Sequence, residues 1–241
     1  MTADLTRALL RPDRGGNAFE QAVERLAEAI RVGALSAGER LPPERELADL
    51  MQVSRTTLRE ALAALRDAGL VETRRGRVGG TFVVYDGVAT VPGKPADLPD
   101  IEDVLAFRSV VEPGASELAA ARVGARSPAD DDGLTPVLRG LVAAVVQAPD
   151  DARRRLADTR LHLALAQATG SDALTSAVAD VQVRLGRLLA AIPVLPRNIA
   201  HSDAQHEAIV DAVLAGRPGV ARAAMAEHCA GTAALLRGLL G

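Results

Sequence analysis

The chain has 241 residues and a formal net charge of −3, so its overall charge does not mark it as a nucleic-acid-binding protein. DNA affinity depends on a local basic surface instead. Hydrophobic residues make up 48% of the sequence and aromatic residues only 2%, which predicts cores of closely packed Ala, Leu and Val side chains. Cys229 is the single cysteine, so an internal disulfide is excluded and a reducing compartment is expected. No signal-peptide pattern and no run of ~18 apolar residues is found, and we expect a cytoplasmic protein that does not contact a membrane.

Residues 1–16 show no regular periodicity and end in two glycines, so we predict a flexible N-terminal arm. Asn17 and Glu20 then have the spacing of a capping box at a helix start. Apolar residues from Phe19 to Ile30 recur at helical spacing, which predicts a first helix ending near Gly33. This helix would supply the apolar surface onto which the next two helices pack.

The following segment, Leu41–Val84, has the element order of a winged helix-turn-helix. Ser54 is a suitable N-cap for the second helix of this segment, and Gly69 is a suitable helix stop. The predicted helices and strands are, in chain order, Glu44–Met51, Ser54–Ala68, Leu70–Arg75 and Thr81–Val84. Together with the first helix they form a domain of three helices and a β-hairpin wing, which we place at residues 17–85.

Positive charge is concentrated in this domain. Between Val53 and Gly79 there are six Arg residues against three acidic residues, a balance of +3. Arg55, Thr56 and Arg59 face outward near the N-terminal end of the Ser54 helix, where a recognition helix meets base edges in the major groove. We therefore predict that the domain binds double-stranded DNA.

The sequence runs LPPERELA, VSRTTLREAL and LRDAGLVETRRGRVGGTFV resemble, in order and spacing, the winged-helix domain of the GntR family of bacterial transcription regulators. The resemblance covers about residues 17–84. It implies that Arg45, Arg55 and Arg59 contact DNA and that Arg75, at the tip of the wing, enters the minor groove. It also implies backbone or base contacts around the recognition helix from Ser54, Thr56 and Thr57.

Residues 86–100 contain three Pro and two Gly without an apolar period, and we predict a linker between two domains. Residues 101–241 have helical periodicity throughout, with short breaks, which predicts an antiparallel all-α bundle. The predicted helices are Ile101–Gly124, Leu134–Ala148, Asp150–Thr169, Asp172–Ile192, Asp203–Ala215 and Gly219–Leu240. Ser202 and Gln205 have capping-box spacing at the start of the fifth helix. We predict that His201, at the same helix start, is a cap or a surface residue rather than a metal ligand.

Four residues of this bundle have the chemistry and spacing of a metal site. Asp158 and His162 are four residues apart and so lie on one helix face. His206 and His228 are equidistant from the turn at residues 216–218, so their rings should meet across an antiparallel hairpin. One carboxylate and three imidazoles suit Zn²⁺, Ni²⁺ or a similar ion. The residues alone leave open the alternative that each histidine is simply a hydrogen-bonded core residue.

The runs RSVVEP, DTRLHLALAQATG, QHEAIVDAVLAG and AMAEHC resemble the FCD domain, the effector-binding bundle of the FadR branch of the GntR family. The resemblance implies a divalent transition metal held by Asp158, His162, His206 and His228, with zinc as first choice and nickel or manganese as alternatives. It also implies a small organic or sugar acid that completes the metal coordination. Arg108 would be a second anchor for that acid, and Arg184 is a weaker candidate whose alternative is surface or dimer-interface charge.

The sequence therefore predicts a homodimeric transcription repressor that binds a palindromic operator and responds to a carboxylate metabolite. In an alternative interpretation the metal ion itself is the signal. A metal-dependent hydrolase is a further alternative, but no general base is evident beside the four ligands, and we do not expect an enzyme.

Overall fold

The computed structural model describes residue 10 and residues 17–31, 34–76, 79–85, 98–126, 133–193 and 195–240. These residues are mainly helical, with one small antiparallel sheet, as predicted. The chain divides into two compact units. The winged-helix unit comprises residues 1–98, 189–195 and 231–241, and the bundle unit comprises residues 99–188 and 196–230.

The winged-helix unit begins with three helices and a two-stranded hairpin. They are α1 (Ala18–Arg31), α2 (Glu44–Met51), α3 (Arg55–Asp67), β1 (Val71–Arg74) and β2 (Gly80–Val83). The Ser54 side chain accepts a hydrogen bond from the backbone N–H of Thr57 and so caps α3, as predicted. Gly69 follows α3 with φ +76°, a left-handed conformation that favours glycine.

The apolar faces of the three helices form the core of this unit, with Phe19, Leu26, Leu47, Leu58 and Leu65 fully buried. The segment before α2 pairs with the wing. Arg40 forms a backbone bridge with Phe82, and the N–H of Leu41 donates to the carbonyl of Thr81. This pairing covers one edge of β2 and ties the wing to the helices.

The same core receives residues from the end of the chain. Leu235 and Leu239 are buried in it, and they belong to α9 (Pro218–Leu240). The guanidinium of Arg31 donates to the carbonyls of Arg237 and Gly238, at 2.5 and 2.8 Å. Cations at a helix C-terminus satisfy carbonyl groups that lack a partner within the helix. The end of α9 is therefore a structural part of the winged-helix unit.

The bundle unit contains α4 (Ile101–Gly124), α5 (Leu134–Val146), α6 (Asp151–Gln167), α7 (Asp172–Leu189), α8 (Pro196–Leu214) and the first part of α9. Helices α4 and α5 each pack against both α6 and α8. Gly216 makes the turn between α8 and α9 with φ +62°. A side chain on this glycine would meet the backbone of Gly124 at 2.6 Å, so the turn requires glycine.

The start of α8 was wrongly predicted. The helix begins at Pro196 rather than at Asp203, because a proline suits the first helical turn, where its missing N–H costs little. Ser202 and Gln205 therefore do not form a capping box, and His201 is not a cap but lies inside the helix. The predicted arm, residues 1–16, lies outside the described residues except for Leu10, which is buried. The predicted linker, residues 86–100, is described only from residue 98. Among the described residues, no helix is long and apolar enough to cross a membrane.

Candidate metal centre and nucleic-acid interface

Most of the residues predicted to contact DNA have exposed side chains. This group is Arg45, Ser54, Arg55, Thr56, Arg59 and Arg75. Within it, Arg59 is held by an ion pair from its Nε to Glu44 Oε2 at 2.7 Å. This exposed pair joins the start of α2 to the outer face of α3 and contributes little stability.

Thr57 differs from the others because its side chain is buried. Its hydroxyl lies 2.6 Å from the hydroxyl of Ser54, and its N–H donates to the same Ser54 oxygen at 3.0 Å. Burial argues against a direct DNA contact by this side chain. Its observed role is to fix the first turn of α3, from which Arg55, Thr56 and Arg59 project.

The wing is stiffened by a contact across its two strands. Val71 pairs with Val83 and Glu72 with Phe82, and the Arg74 guanidinium lies 4.5 Å from the centre of the Phe82 ring. Arg74 also donates to Glu72 through Nε at 2.6 Å. These contacts occupy Arg74, whereas the next residue, Arg75, is exposed at the end of β1.

The structure brings three of the four predicted metal ligands together in the bundle. His162 on α6, His206 on α8 and His228 on α9 are all buried, and one ring nitrogen of each lies within 4.8 Å of the others. The rings of His206 and His228 meet across the α8–α9 hairpin with centroids 4.7 Å apart. His162 completes the cluster at 5.6 and 5.3 Å from them.

Asp158, the fourth predicted ligand, lies at the edge of this cluster and is partly exposed. Its Oδ1 is 3.2 Å from His206 Nε2, and its Oδ2 is 4.0 Å from His162 Nε2. One carboxylate thus faces two of the three imidazoles. The set of ligand atoms that all lie within 4.8 Å of one another comprises the three histidines and does not include Asp158.

A buried carboxylate that we had not identified as a site residue lies behind the histidines. Glu112 Oε2 is 3.1 Å from His162 Nδ1 and accepts a hydrogen bond from Arg108 Nε at 3.0 Å. Its other oxygen accepts from Gln182 Nε2 at 2.5 Å. Arg108 and Glu112 are each only 2% exposed. Its sequence signals were its place in the run RSVVEP and the i,i+4 spacing from Arg108, and that spacing is equally typical of a surface ion pair.

Burial and charge act differently on the ionisable groups of the cluster. Desolvation lowers the pKa of His206 to about 4, although the charge of Asp158 opposes this shift. Desolvation, helped by His206 and Arg108, also holds the pKa of His228 well below its ordinary value. For His162, desolvation lowers the pKa, but Glu112 and Asp158 together outweigh it and the pKa is raised.

The pKa of Glu112 lies well below its ordinary value, because the charges of Arg108 and His162 outweigh the desolvation that would raise it. Glu112 is therefore an anion in the bundle interior. The pKa of Arg108 is raised, because the surrounding acidic groups outweigh its desolvation. A buried Arg⁺–Glu⁻ pair thus stands directly beside the histidine cluster.

Several buried polar side-chain atoms of the bundle have no aligned hydrogen-bond partner within the described protein. They include Arg108 Nη1, Ser116 Oγ and both ring nitrogens of His162 and His206. The His162 Nδ1–Glu112 distance is short, but the N–H does not point along it. Buried polar atoms are normally satisfied, and a divalent cation bound by imidazole and carboxylate would satisfy the histidine nitrogens. The residues present therefore fit a metal ion.

Three polar residues other than the four predicted ligands differ in their position relative to the histidine cluster. Gln205, which we had assigned only to a helix start, lies with Oε1 3.2 Å from His228 Nδ1. Arg184 is engaged at the bundle surface by Asp103 and Asp180, and these are acidic partners, as expected for surface charge. Arg108, by contrast, is buried beside the cluster, and one of its guanidinium nitrogens has no hydrogen-bond partner among the residues that the structure describes.

Comparison with known proteins identifies both parts of the chain. The family described as bacterial regulatory proteins, gntR family, matches residues 18–83, and the FCD domain matches residues 103–231. RmpR of Mycobacterium gastri, a candidate HTH-type transcriptional regulator, is 36% identical over 222 residues, which cover 86% of this chain and 75% of RmpR.

Two further relatives are similar over nearly the same length. A candidate regulatory protein of the L-lactate dehydrogenase operon of Escherichia coli (strain K12) is 32% identical over 229 residues, 87% of this chain and 82% of that protein. The HTH-type transcriptional regulator LutR of Bacillus subtilis (strain 168) is 30% identical over 219 residues, 87% of this chain and 96% of LutR. The chain thus belongs to the GntR family and is a DNA-binding transcriptional regulator with an FCD domain, not an enzyme.

Proposed function

We propose that this regulator is a repressor whose operator affinity is controlled by a small carboxylic acid bound at a metal ion in the bundle. The observation that carries the proposal is the group of three buried histidines with ring nitrogens within 4.8 Å of one another, faced by Asp158. If each histidine were simply a hydrogen-bonded core residue, the three ring nitrogens would have no reason to lie so close together. A convergent set of imidazoles with a carboxylate is the donor set of a divalent transition metal.

Asp158, His162, His206 and His228 would hold the ion. Zinc is our first choice and nickel or manganese are alternatives, since several divalent ions accept imidazole and carboxylate. The lowered pKa values of His206 and His228 keep these rings neutral near pH 7. Neutral imidazole is the form that binds a metal, so little proton release is needed from these two ligands.

The charge of the site supports an anionic effector. Arg108, Glu112 and Asp158 together carry one net negative charge, and a divalent ion would change this to one net positive charge. A carboxylic acid with a single ionised carboxylate would bring the sum to zero, and buried charge is costly unless it is compensated. A metal ion with open coordination positions accepts a carboxylate oxygen directly.

Arg108 would grip the same carboxylate. Its Nε already donates to Glu112, whereas its Nη1 is buried without a partner and can donate to a ligand oxygen. A short 2-hydroxy acid is the first ligand to test, because one relative is named for an L-lactate dehydrogenase operon. Arg184, the weaker candidate, remains assigned to surface charge.

The functional form would be a homodimer on a palindromic operator, with one winged helix per half-site. Adjacent helices α4 and α7 carry exposed apolar side chains, which support a dimer contact there. Val110 and Val183 are each 68% exposed, and Phe107 lies one turn from Val110. Operator binding would place the protein in the bacterial cytoplasm.

A gel-shift titration on DNA from upstream of the gene tests the proposal. The metal-loaded protein should form a salt-sensitive complex, because phosphate contacts release counterions, and L-lactate or a related acid should dissociate it. His206→Ala should lose the bound metal and the response to acid, while His201→Ala, which changes a histidine outside the cluster, should keep both. Unchanged metal content in His206→Ala would remove this residue from the site.

The alternative in which the ion itself is the signal gives a different result in the same assay. Zinc alone would then change operator affinity without any acid. If the metal serves only to bind the effector, chelation should abolish acid binding, and metal loading by itself should leave operator affinity nearly unchanged.

A further inference from the structure

In two of the three clustered histidines, Nδ1 lies close to the oxygen of a polar side chain. Glu112 Oε2 lies 3.1 Å from His162 Nδ1, and Gln205 Oε1 lies 3.2 Å from His228 Nδ1. For His162, Nε2 is the nitrogen that faces Asp158. The ring therefore has one nitrogen toward the cluster edge and the other toward a buried carboxylate.

Glu112 is itself fixed by several neighbours. Arg108 Nε donates to Oε2 at 3.0 Å and Gln182 Nε2 donates to Oε1 at 2.5 Å. Gln182 is in turn contacted by the Thr159 hydroxyl at 3.4 Å, and Cys229 Sγ approaches Glu112 Oε2 at 3.6 Å. A carboxylate held from both sides presents its remaining lone pair in a fixed direction.

We propose that Glu112 is a positioning residue of the metal site: its carboxylate accepts the Nδ1–H of His162 and so presents Nε2 of that ring to the ion. The inference rests on the proposed metal site. Metal-bound histidines commonly donate their second N–H to a carboxylate, which fixes the tautomer and the ring orientation. The His162–Glu112 separation already has the length of a hydrogen bond, so only the direction of the N–H has to change.

The same arrangement assigns a role to Arg108 and Gln182. They hold Glu112 as an anion and keep it from rotating toward the cluster, where it would compete with Asp158. Gln205 would accept the Nδ1–H of His228 in the same way, but its side chain carries no charge. The carboxylate should therefore matter more than the amide for metal affinity.

The first test measures zinc affinity by competition with a chromophoric chelator. Glu112→Gln keeps the size of the side chain but removes its charge, and it should weaken zinc binding 10- to 100-fold. Glu117→Gln is the matched control, since it makes the same change on α4 at an exposed carboxylate that pairs with Arg222, and its zinc affinity should stay within about twofold of wild type. Circular dichroism of the metal-free variants checks that both are folded. Wild-type affinity in folded Glu112→Gln would overturn the proposal.

A second test uses the unaltered protein, in case Glu112→Gln does not fold. Two-dimensional ¹⁵N–¹H spectra of the zinc-loaded chain distinguish the two ring nitrogens of each histidine. His162 should show a protonated Nδ1 and a zinc-bound Nε2. Zinc bound through Nδ1 would overturn the positioning role while leaving the metal site intact, whereas a protein that binds no zinc at all would refute the proposed site itself.

Discussion

Acid should destabilise the metal-free protein, and His206 should account for much of the effect. The ordinary pKa of this imidazole is 6.5, and burial lowers it to about 4 in the folded chain. Between these two values the unfolded chain binds a proton that the folded chain excludes. The free energy of unfolding must therefore fall as the pH drops from 6.5 toward 4.

The size of the effect follows from the shift. At about 1.4 kcal/mol per pKa unit, a change from 6.5 to about 4 corresponds to on the order of 3 kcal/mol in total, of which roughly 2 kcal/mol is lost between pH 7 and pH 5. His228 shifts in the same direction and adds to the loss. His162 has a raised pKa, so its contribution is present below pH 6.5 and offsets part of the loss.

The measurement is urea denaturation of chelator-treated protein at pH 7 and pH 5, followed by circular dichroism. Wild type should lose roughly 2 kcal/mol more than His206→Gln over this interval, because the variant has no imidazole to protonate. Equal losses in the two proteins would show that His206 is not desolvated in the folded chain, and the reasoning on neutral metal ligands would fail with it.

Two further predictions concern the winged-helix unit, and a third compares two glycines of the bundle unit. Ser54→Ala removes the cap on α3 and should lower the free energy of unfolding by about 1 kcal/mol, measured by urea denaturation. Arg55→Ala should weaken operator binding at least tenfold in fluorescence anisotropy, by about 1–3 kcal/mol if it contacts a base. Gly216→Ala places a Cβ 2.6 Å from the backbone of Gly124 at a φ of +62° and should destabilise the protein by about 1–3 kcal/mol. Gly186→Ala has open space around it and should stabilise its helix by up to ~1 kcal/mol.

Each of these has a distinct contrary result. Unchanged stability in Ser54→Ala would mean that water replaces the cap. A loss for Arg55→Ala that is equal on all DNA sequences, with a salt slope reduced by about one, would assign this residue to phosphate rather than to a base. Equal stability changes in the two glycine variants would show that the turn at Gly216 does not approach the backbone of Gly124 closely.

The winged helix could be predicted almost residue by residue because its signals are local. Ser54 and Gly69 mark the ends of α3 through capping chemistry, and the predicted Glu44–Met51 helix has the observed bounds. Pairing between the Arg40 segment and β2 could not be predicted, since it joins residues that are distant in sequence and carries no turn signal.

In the bundle, symmetry about the turn was sufficient to bring His206 and His228 together. Glu112 could not be assigned, because nothing in an i,i+4 Arg–Glu pair distinguishes a buried pair from an exposed one. The start of α8 was misplaced because two prolines near residue 195 resemble a break, although Pro196 starts the helix. Helix periodicity and turn symmetry were enough to place the helices and the facing pair His206 and His228. The position of Glu112 behind the histidines depends on tertiary packing, which these signals do not report.

The contribution of Leu235 and Leu239 to the core of the winged-helix unit has a consequence for how the protein is made. The segment that binds DNA is synthesised first, and the residues that complete its core follow much later. Some 150 residues separate Val83 from Leu235, a delay on the order of ten seconds at typical elongation rates. During that time the part of the core that Leu235 and Leu239 cover is exposed, so the winged-helix unit of a nascent regulator is complete only after these two residues have left the ribosome.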